Sequence, residues 1–517
     1  MSGRGEGALA GAVVLAGAAP LWAGRFLPFL DMPQHLGLAS VLARYADPAT
    51  GFARYYALDR AVDPYWGYLA PMWLLTRVVS LELANRLLLS AWAVALPLSV
   101  GYALQALGRD WRWAAFALPL VWHENLFFGF APFLVSMPIL FVALGLLARW
   151  LGGEEPRREG RLACAAAALF LAHVQTYLLF GASAVTLLAA QWRGARWALG
   201  RLRPLVPSLV LFGAWLGPAF LWNRASGAPL HTPRYTGYGT LLHLGAAFEP
   251  LAETLGRAPE RLWGMYADGS GVAAGAAWIV LLLLAVALAG GRPPGSGEED
   301  LRAALRARPG ELLAVVALAC YLFLPARISG QWYLNGRYLV FAALLAPAFV
   351  SGAATGFRRG LAASAAALAL LCDANAVAKV AAFQQQAGAF GQLLDRMEPG
   401  RRALGLVFDA GGGPVRQPLF LHFAAYYQAL RGGDVGFSFA GLPSIPLRYR
   451  EGAQAPHPGE WAPQDFRWDE MGPSYDYFLV RGTPRGDAAR LAEHADEVAE
   501  GAGFTLCRRR DPGRPAR

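Results

Sequence analysis

The sequence predicts a polytopic α-helical membrane protein that ends in a small α/β domain. Three observations carry this. Of 517 residues, 56% are hydrophobic and 16% charged, which is too apolar for a soluble globular chain. Apolar runs of roughly 17–25 residues, the length that crosses ~30 Å of hydrocarbon, recur through the first three quarters. Beyond residue 380 those runs stop, and short strand-like and helix-like patterns take over.

The expected spans are 8–30, 83–107, 113–122, 130–150, 161–172, 176–192, 204–222, 273–290, 311–326, 336–354 and 361–380, about eleven in all. The first is read as an uncleaved helix that continues through Leu30, although "GAAPLWAG" has the small residues of a cleavage site. The stretch 66–82, "WGYLAPMWLLTRVVSLE", is interrupted by Pro71 and Arg77 and is read as a helix lying along the interface. With that assignment the arginine-rich loops at 109–112, 157–161, 193–203, 292–308 and 358–359 share the side of the N-terminus, which is then cytoplasmic. The net charge of +10 is accounted for by these loops. A nucleic-acid partner would need the cations on one folded face, and none is expected. Cys164, Cys320 and Cys372 lie in apolar runs and Cys507 stands alone, with no CxxC pair, so neither a disulfide framework nor a structural metal is indicated. Lys379 is the only lysine. Arginine in its place elsewhere fits a GC-rich bacterial genome, an inner membrane and a periplasmic outer side.

The C-terminal domain, 381–517, reads as strand 403–409, a helix in "PLFLHFAAYYQALRG", strands in "DVGFSFA" and "YDYFLVRG", a helix in "DAARLAEHADEVAE" and a last strand in "FTLCRR". "FDAGGGP" after the first strand reads as a turn. The membrane domain, 1–380, carries a first outer loop at 31–82.

Unusual polar groups gather at outer ends, where such groups usually face a cavity or a substrate path. Asp31 and His35 in "DMPQH" stand at i and i+4, on one helical face. Together they could hold a divalent ion such as Mg or Mn, or deprotonate a hydroxyl. The plain alternative makes Asp31 an N-cap and His35 an interfacial side chain. His123 and Glu124 in "HEN" offer a further acid–base group, and His173 tips a short hairpin. Arg327, Asn335 and Arg337 flank an outer loop against the inside bias of arginine, and a guanidinium fork suits phosphate. Arg234, with His231, lies in the long outer loop 223–272.

In layout the chain resembles the GT-C superfamily of membrane glycosyltransferases, which includes the protein O-mannosyltransferases and aminoarabinose transferases. The carriers are the acidic motif "DMPQH" directly after the first span, the helical stretch "DPYWGYLAPMWLLTRVVSLELANRLLLSAW" with Arg86 in the place of the family's arginine, the paired short helices of 161–192 and the outer soluble domain. The chain departs from it in having Asp31 followed by Met32 where many members have two acids; His35 or Glu124 would then make up the missing group. The resemblance implies a polyprenyl-phosphate sugar donor entering from the outer leaflet, Asp31 as base or metal ligand, inverting transfer, and Arg327 or Arg337 on the phosphate. The acceptor hydroxyl could belong to a glycan, a lipid or a protein. A transporter or flippase of lipid-linked saccharides, and a non-catalytic envelope assembly protein, are the competing readings.

Overall fold

The computed structural model describes residues 3–58, 62–153, 157–226, 246–289, 303, 305–328, 331–442 and 445–510. Among these, four helices are long and apolar enough to cross a membrane: Leu81–Ala106, Ala131–Leu151, Ser270–Leu288 and Phe357–Arg396. Shorter apolar helices, Val174–Ala190, Pro309–Phe323 and Gly336–Phe349, pack among them.

Two expected spans take another form. The first helix, Gly3–Ala16, ends well before Leu30. Pro20 and Pro28 cannot supply amide protons to a continuing helix, and the chain runs on as a 3-10 turn, Ala19–Trp22, then an irregular buried segment around Phe26, Leu27 and Phe29. Its freed polar groups are taken up by neighbours. Arg86 Nη2 donates to the carbonyls of Gly24 (2.6 Å) and Arg25 (3.3 Å), and the Phe26 amide donates to Gln384 Oε1 (3.0 Å). The segment 113–122 is likewise two 3-10 turns, Trp111–Ala117 and Pro119–Val121, rather than an α-helix. Stretch 66–82 contains a ten-residue helix, Trp66–Leu75, which at ~1.5 Å per residue is half a membrane's thickness.

The segment 31–82 and the C-terminal residues are built against each other. Strand β1 (Tyr56–Leu58) pairs antiparallel with β7 (Leu447–Tyr449). The helix Met32–Ala43 packs on the helix Ala425–Arg431, where a Cβ on Gly37 would stand 2.3 Å from Gln428 Oε1, so only glycine admits the contact. Gln34 Nε2 donates to the Phe437 carbonyl (3.0 Å) and the Phe439 amide donates to Gln34 Oε1 (3.1 Å).

The domain's main sheet has the order β6-β5-β8-β10-β9, with β5 (Arg402–Val407) parallel to β6 (Asp434–Val435) and to β8 (Tyr477–Arg481). The expected helix over "DAARLAEHADEVAE" is instead a 3-10 turn, Gly486–Glu493, followed by edge strand β9 (Ala495–Gly501). Ala502 and Gly503, both at positive φ, turn β9 back onto β10 (Phe504–Arg509), the geometry a two-residue hairpin requires. The acids that suggested a helical face protect an exposed sheet edge. The helix expected through "PLFLHFAAYYQALRG" is confined to Ala425–Arg431, which leaves His422 on a turn.

Candidate active site

Two sequence motifs meet at Asp31. The backbone amides of Leu30 and Asp31 donate to the carbonyls of Phe127 and Phe128, each at 2.9 Å. Gly129, at φ +76°, permits this approach: a Cβ there would stand 2.9 Å from the amide nitrogens of Asp31 and Met32. "FLDMPQH" and "HENLFFGF" are thereby clamped backbone to backbone. Asp31 occupies the N-cap place of the helix Met32–Ala43, yet its side chain makes no capping hydrogen bond. It points instead to the C-terminal domain.

There His422 Nδ1 lies 3.2 Å from Asp31 Oδ1, and His422 Nε2 is hydrogen-bonded to Glu460 Oε2 at 2.8 Å. Trp461 Nε1 donates to the other oxygen of Glu460 (3.1 Å). His422 is 5% exposed, while Asp31 and Glu460 each keep 16% of their side chains open, so the chain of groups is reachable at both ends. Burial disfavours charge on His422, but the hydrogen bonds and charges of Asp31 and Glu460 outweigh it and raise the imidazole to about 9. Burial raises the Asp31 carboxyl, and His422 and Arg337 limit the rise. His422 therefore favours its charged form, with Nε2 bonded to Glu460 and Nδ1 close to Asp31.

His35 follows the opposite course. Its ring is enclosed by Tyr65, Tyr68 and Phe439, with the Tyr65 hydroxyl 3.3 Å from Nδ1. Burial, and the positive charges of His422 and Arg337, lower it to about 3, so it is neutral. A divalent ion between Asp31 and His35, as expected from the sequence, would share Asp31 with His422 and His35 with Tyr65. Both nitrogens of His422 face carboxylates, Nδ1 of His35 faces a phenol, and among the described residues no group of three His, Cys, Asp or Glu could hold a metal ion.

Arg337 stands within electrostatic reach of Asp31 and of His173. Its Nη1 donates to neutral Gln175 Oε1 (3.3 Å), and its guanidinium lies 4.0 Å over the Phe130 ring. Gln175 is itself held by the Leu334 carbonyl. Arg337 makes no ion pair among the described residues, and its Nε has no partner. Glu124 is the second acid nearby. Gln417 Nε2 donates to it (3.3 Å), and the Tyr333 hydroxyl sits between its Oε2 (3.5 Å) and the Arg261 carbonyl (3.0 Å). Burial raises Glu124 to about 7. Tyr333 has φ +60°, a costly conformation for a tyrosine, inside an aromatic group with Phe128, Phe130 and Trp332.

The structure thus gathers Asp31, His35, Glu124, His173 and Arg337 into one neighbourhood. Elsewhere, Arg86 is engaged by backbone carbonyls, Asn335 Nδ2 donates to the Tyr321 carbonyl (3.3 Å), and buried His123 stacks on Trp92. Arg327 is exposed in a small ladder with Gln331–Trp332. Arg234 and His231 lie outside the described residues. Sequence reasoning missed His422, Glu460 and Tyr65. A histidine inside the apolar run "PLFLHFAAYY" was the one signal for the first.

No family model matches the chain, and no curated protein does. Two solved structures are similar over 98% of both chains at 13% identity: ArnT from Cupriavidus metallidurans bound to undecaprenyl phosphate, TM-score 0.53, and the same protein in the apo state, TM-score 0.50. At that identity the likeness is one of fold, and it runs from the first helices through the C-terminal domain. The chain has the fold of ArnT, and four of its described helices are long and apolar enough to cross a membrane.

Proposed function

We propose that the protein transfers a sugar from a polyprenyl-phosphate donor to an acceptor hydroxyl at the periplasmic face of a bacterial inner membrane, with its N-terminus cytoplasmic. The observation that carries this is a guanidinium without an ion-pair partner, Arg337, within reach of the Asp31 carboxylate. A structure sharing this fold is bound to undecaprenyl phosphate, a ligand whose phosphate calls for such a cation.

In the proposed step the acceptor oxygen attacks the anomeric carbon and its proton passes to Asp31. The bond from that carbon to the phosphate oxygen breaks, and its electron pair leaves with the polyprenyl phosphate. Arg337 offsets the charge that grows there. His422 holds one oxygen of Asp31 and leaves the other for the acceptor. Burial makes Asp31 a stronger base than a free aspartate. Direct displacement inverts the anomeric centre. No step is routed through a metal ion.

The test uses the full chain in nanodiscs with undecaprenyl phosphate as probe and undecaprenol as control. Arg337→Met is expected to weaken undecaprenyl phosphate binding at least tenfold and to leave undecaprenol unchanged. Equal binding of the phosphate by both proteins would remove Arg337 from the donor site.

A further inference from the structure

A second polar constellation lies away from Asp31, in a crevice of about 280 Å³ between the helices Ser270–Ala289 and Phe357–Ala387. Its walls are mostly apolar: Ala273, Ala277, Leu368, Leu371, Trp122 and Trp263. Alanines on one helix open the space, and Ala273 and Ala277 are themselves exposed. The helices that flank it present Val280, Leu283 and Leu371 at 55–69% exposure, so the opening faces hydrocarbon.

The crevice also holds polar atoms with nothing to bond. Trp263 and Tyr266 are 2% and 3% exposed, and among the described residues neither the indole Nε1 nor the phenol oxygen has a partner. Buried Trp and Tyr normally find one. Asp373, next to the lining Cys372 but behind the wall, is 6% exposed, its Oδ1 has no partner among the described residues, and its charge reaches Tyr266. An ionisable group in a membrane-spanning helix is costly unless it serves a site. At the mouth, Asn375 Nδ2 donates to Ser270 Oγ (3.0 Å), and Lys379 is paired with Asp268 at 2.5 Å.

We propose that this crevice binds a membrane lipid whose head is uncharged and bears a hydroxyl, a diacylglycerol-type amphiphile. The hydrocarbon lies along the alanine wall. The head's hydroxyl and ester oxygens accept from Tyr266 and Trp263, two lining donors without an acceptor among the described residues. An anionic head is disfavoured because the cation at the mouth is already neutralised by Asp268 and a carboxylate stands behind. This holds whether or not Asp31 transfers a sugar.

Native mass spectrometry of the full-length protein in detergent, with dioleoylglycerol or dioleoylphosphatidylglycerol added, tests it. One retained dioleoylglycerol is expected, favoured over the anionic lipid. The double substitution Ala273→Phe/Ala277→Phe has room at exposed positions, should keep the wild-type melting temperature, and should weaken retention by roughly tenfold or more by displacing buried methylenes. Tyr266→Phe should weaken it a few-fold. Retention by the filled crevice equal to wild type, preference for the anionic lipid, or no retained dioleoylglycerol would each overturn the proposal.

Discussion

Two aspartates join the loop segment 31–82 to the C-terminal domain, and they do so in opposite ways. Asp434 reaches from the domain into the loop. Its Oδ1 accepts from the hydroxyls of Tyr56 (2.6 Å) and Tyr449 (2.9 Å) and from the Val435 amide (2.9 Å), while Oδ2 faces Arg402 Nε at 3.5 Å. It is 1% exposed and sits beside the pairing of β1 with β7. Asp31 reaches from the loop into the domain, meets His422, and keeps part of its surface open. The first carboxylate takes three hydrogen bonds on Oδ1, and its Oδ2, closed off from solvent, has only the Arg402 charge beside it. The second has one charged neighbour and an open side. Burial raises both. What separates a structural carboxylate from a candidate base here is access: 1% of the Asp434 side chain is exposed against 16% of the Asp31 side chain.

The largest effect expected from breaking this contrast is at Asp31. Asp31→Asn should lower transfer from a polyprenyl-phosphate sugar by roughly 10²–10⁴-fold, the usual worth of a positioned base, with the melting temperature in nanodiscs almost unchanged. A purified variant of full activity would end its role as base. Asp434→Ala should do the reverse. Leaving two tyrosine hydroxyls and Arg402 without their acceptor costs about 2–4 kcal/mol, so the melting temperature should fall by several degrees while activity per folded molecule persists.

His422 gives the contrast a pH dependence. Its folded value, about 9, lies above the ordinary 6.5. The stabilisation from its charge is therefore complete below about 6.5 and is lost as pH rises through 9. Activity of the wild type should decline across the upper part of that window, as the imidazolium between Asp31 and Glu460 discharges. His422→Gln should be less active at neutral pH and should lack that alkaline limb. A limb that survives in the variant would assign it to another group.

Much of this neighbourhood is legible in the sequence, because an acid, a histidine or an arginine at the outer end of an apolar run is conspicuous. Asp31, His35, Glu124, His173 and Arg337 stand out in that way. The partners that give Asp31 its chemistry are hidden for physical reasons. His422 lies in a run whose apolar spacing imitates a helix, and Glu460 sits in a proline-rich loop with no period. Both reach Asp31 through packing of segments hundreds of residues apart. The ArnT-like fold follows from the layout of spans and the outer domain, but its local breaks do not. Gly17, Pro20, Gly24 and Pro28 end the first helix early, and Arg86 becomes a cap for the carbonyls they free. The edge strand β9 reads as a helix because its acids, Asp496, Glu497 and Glu500, do not alternate, over a stretch too short to tell the two periods apart.

The smallest predicted effect sharpens the comparison most. Tyr449→Phe removes one of three donors to Asp434 Oδ1 and keeps the ring against Tyr56. A single such bond is worth about 0.5–1.5 kcal/mol. Because Asp434 is raised by burial to about 6 from its ordinary 3.8, the fold loses stability as pH rises through that interval, where the folded carboxyl gives up its proton later than the unfolded one. The tyrosine donor stabilises the charged form more than the neutral form. Its removal should therefore cost more at pH 8 than at pH 4.5, and transfer per folded molecule should be unchanged at both. A deficit equal at the two pH values would mean that Tyr449 stabilises the junction by packing alone, and that the carboxylate of Asp434 relies on Tyr56 and Arg402.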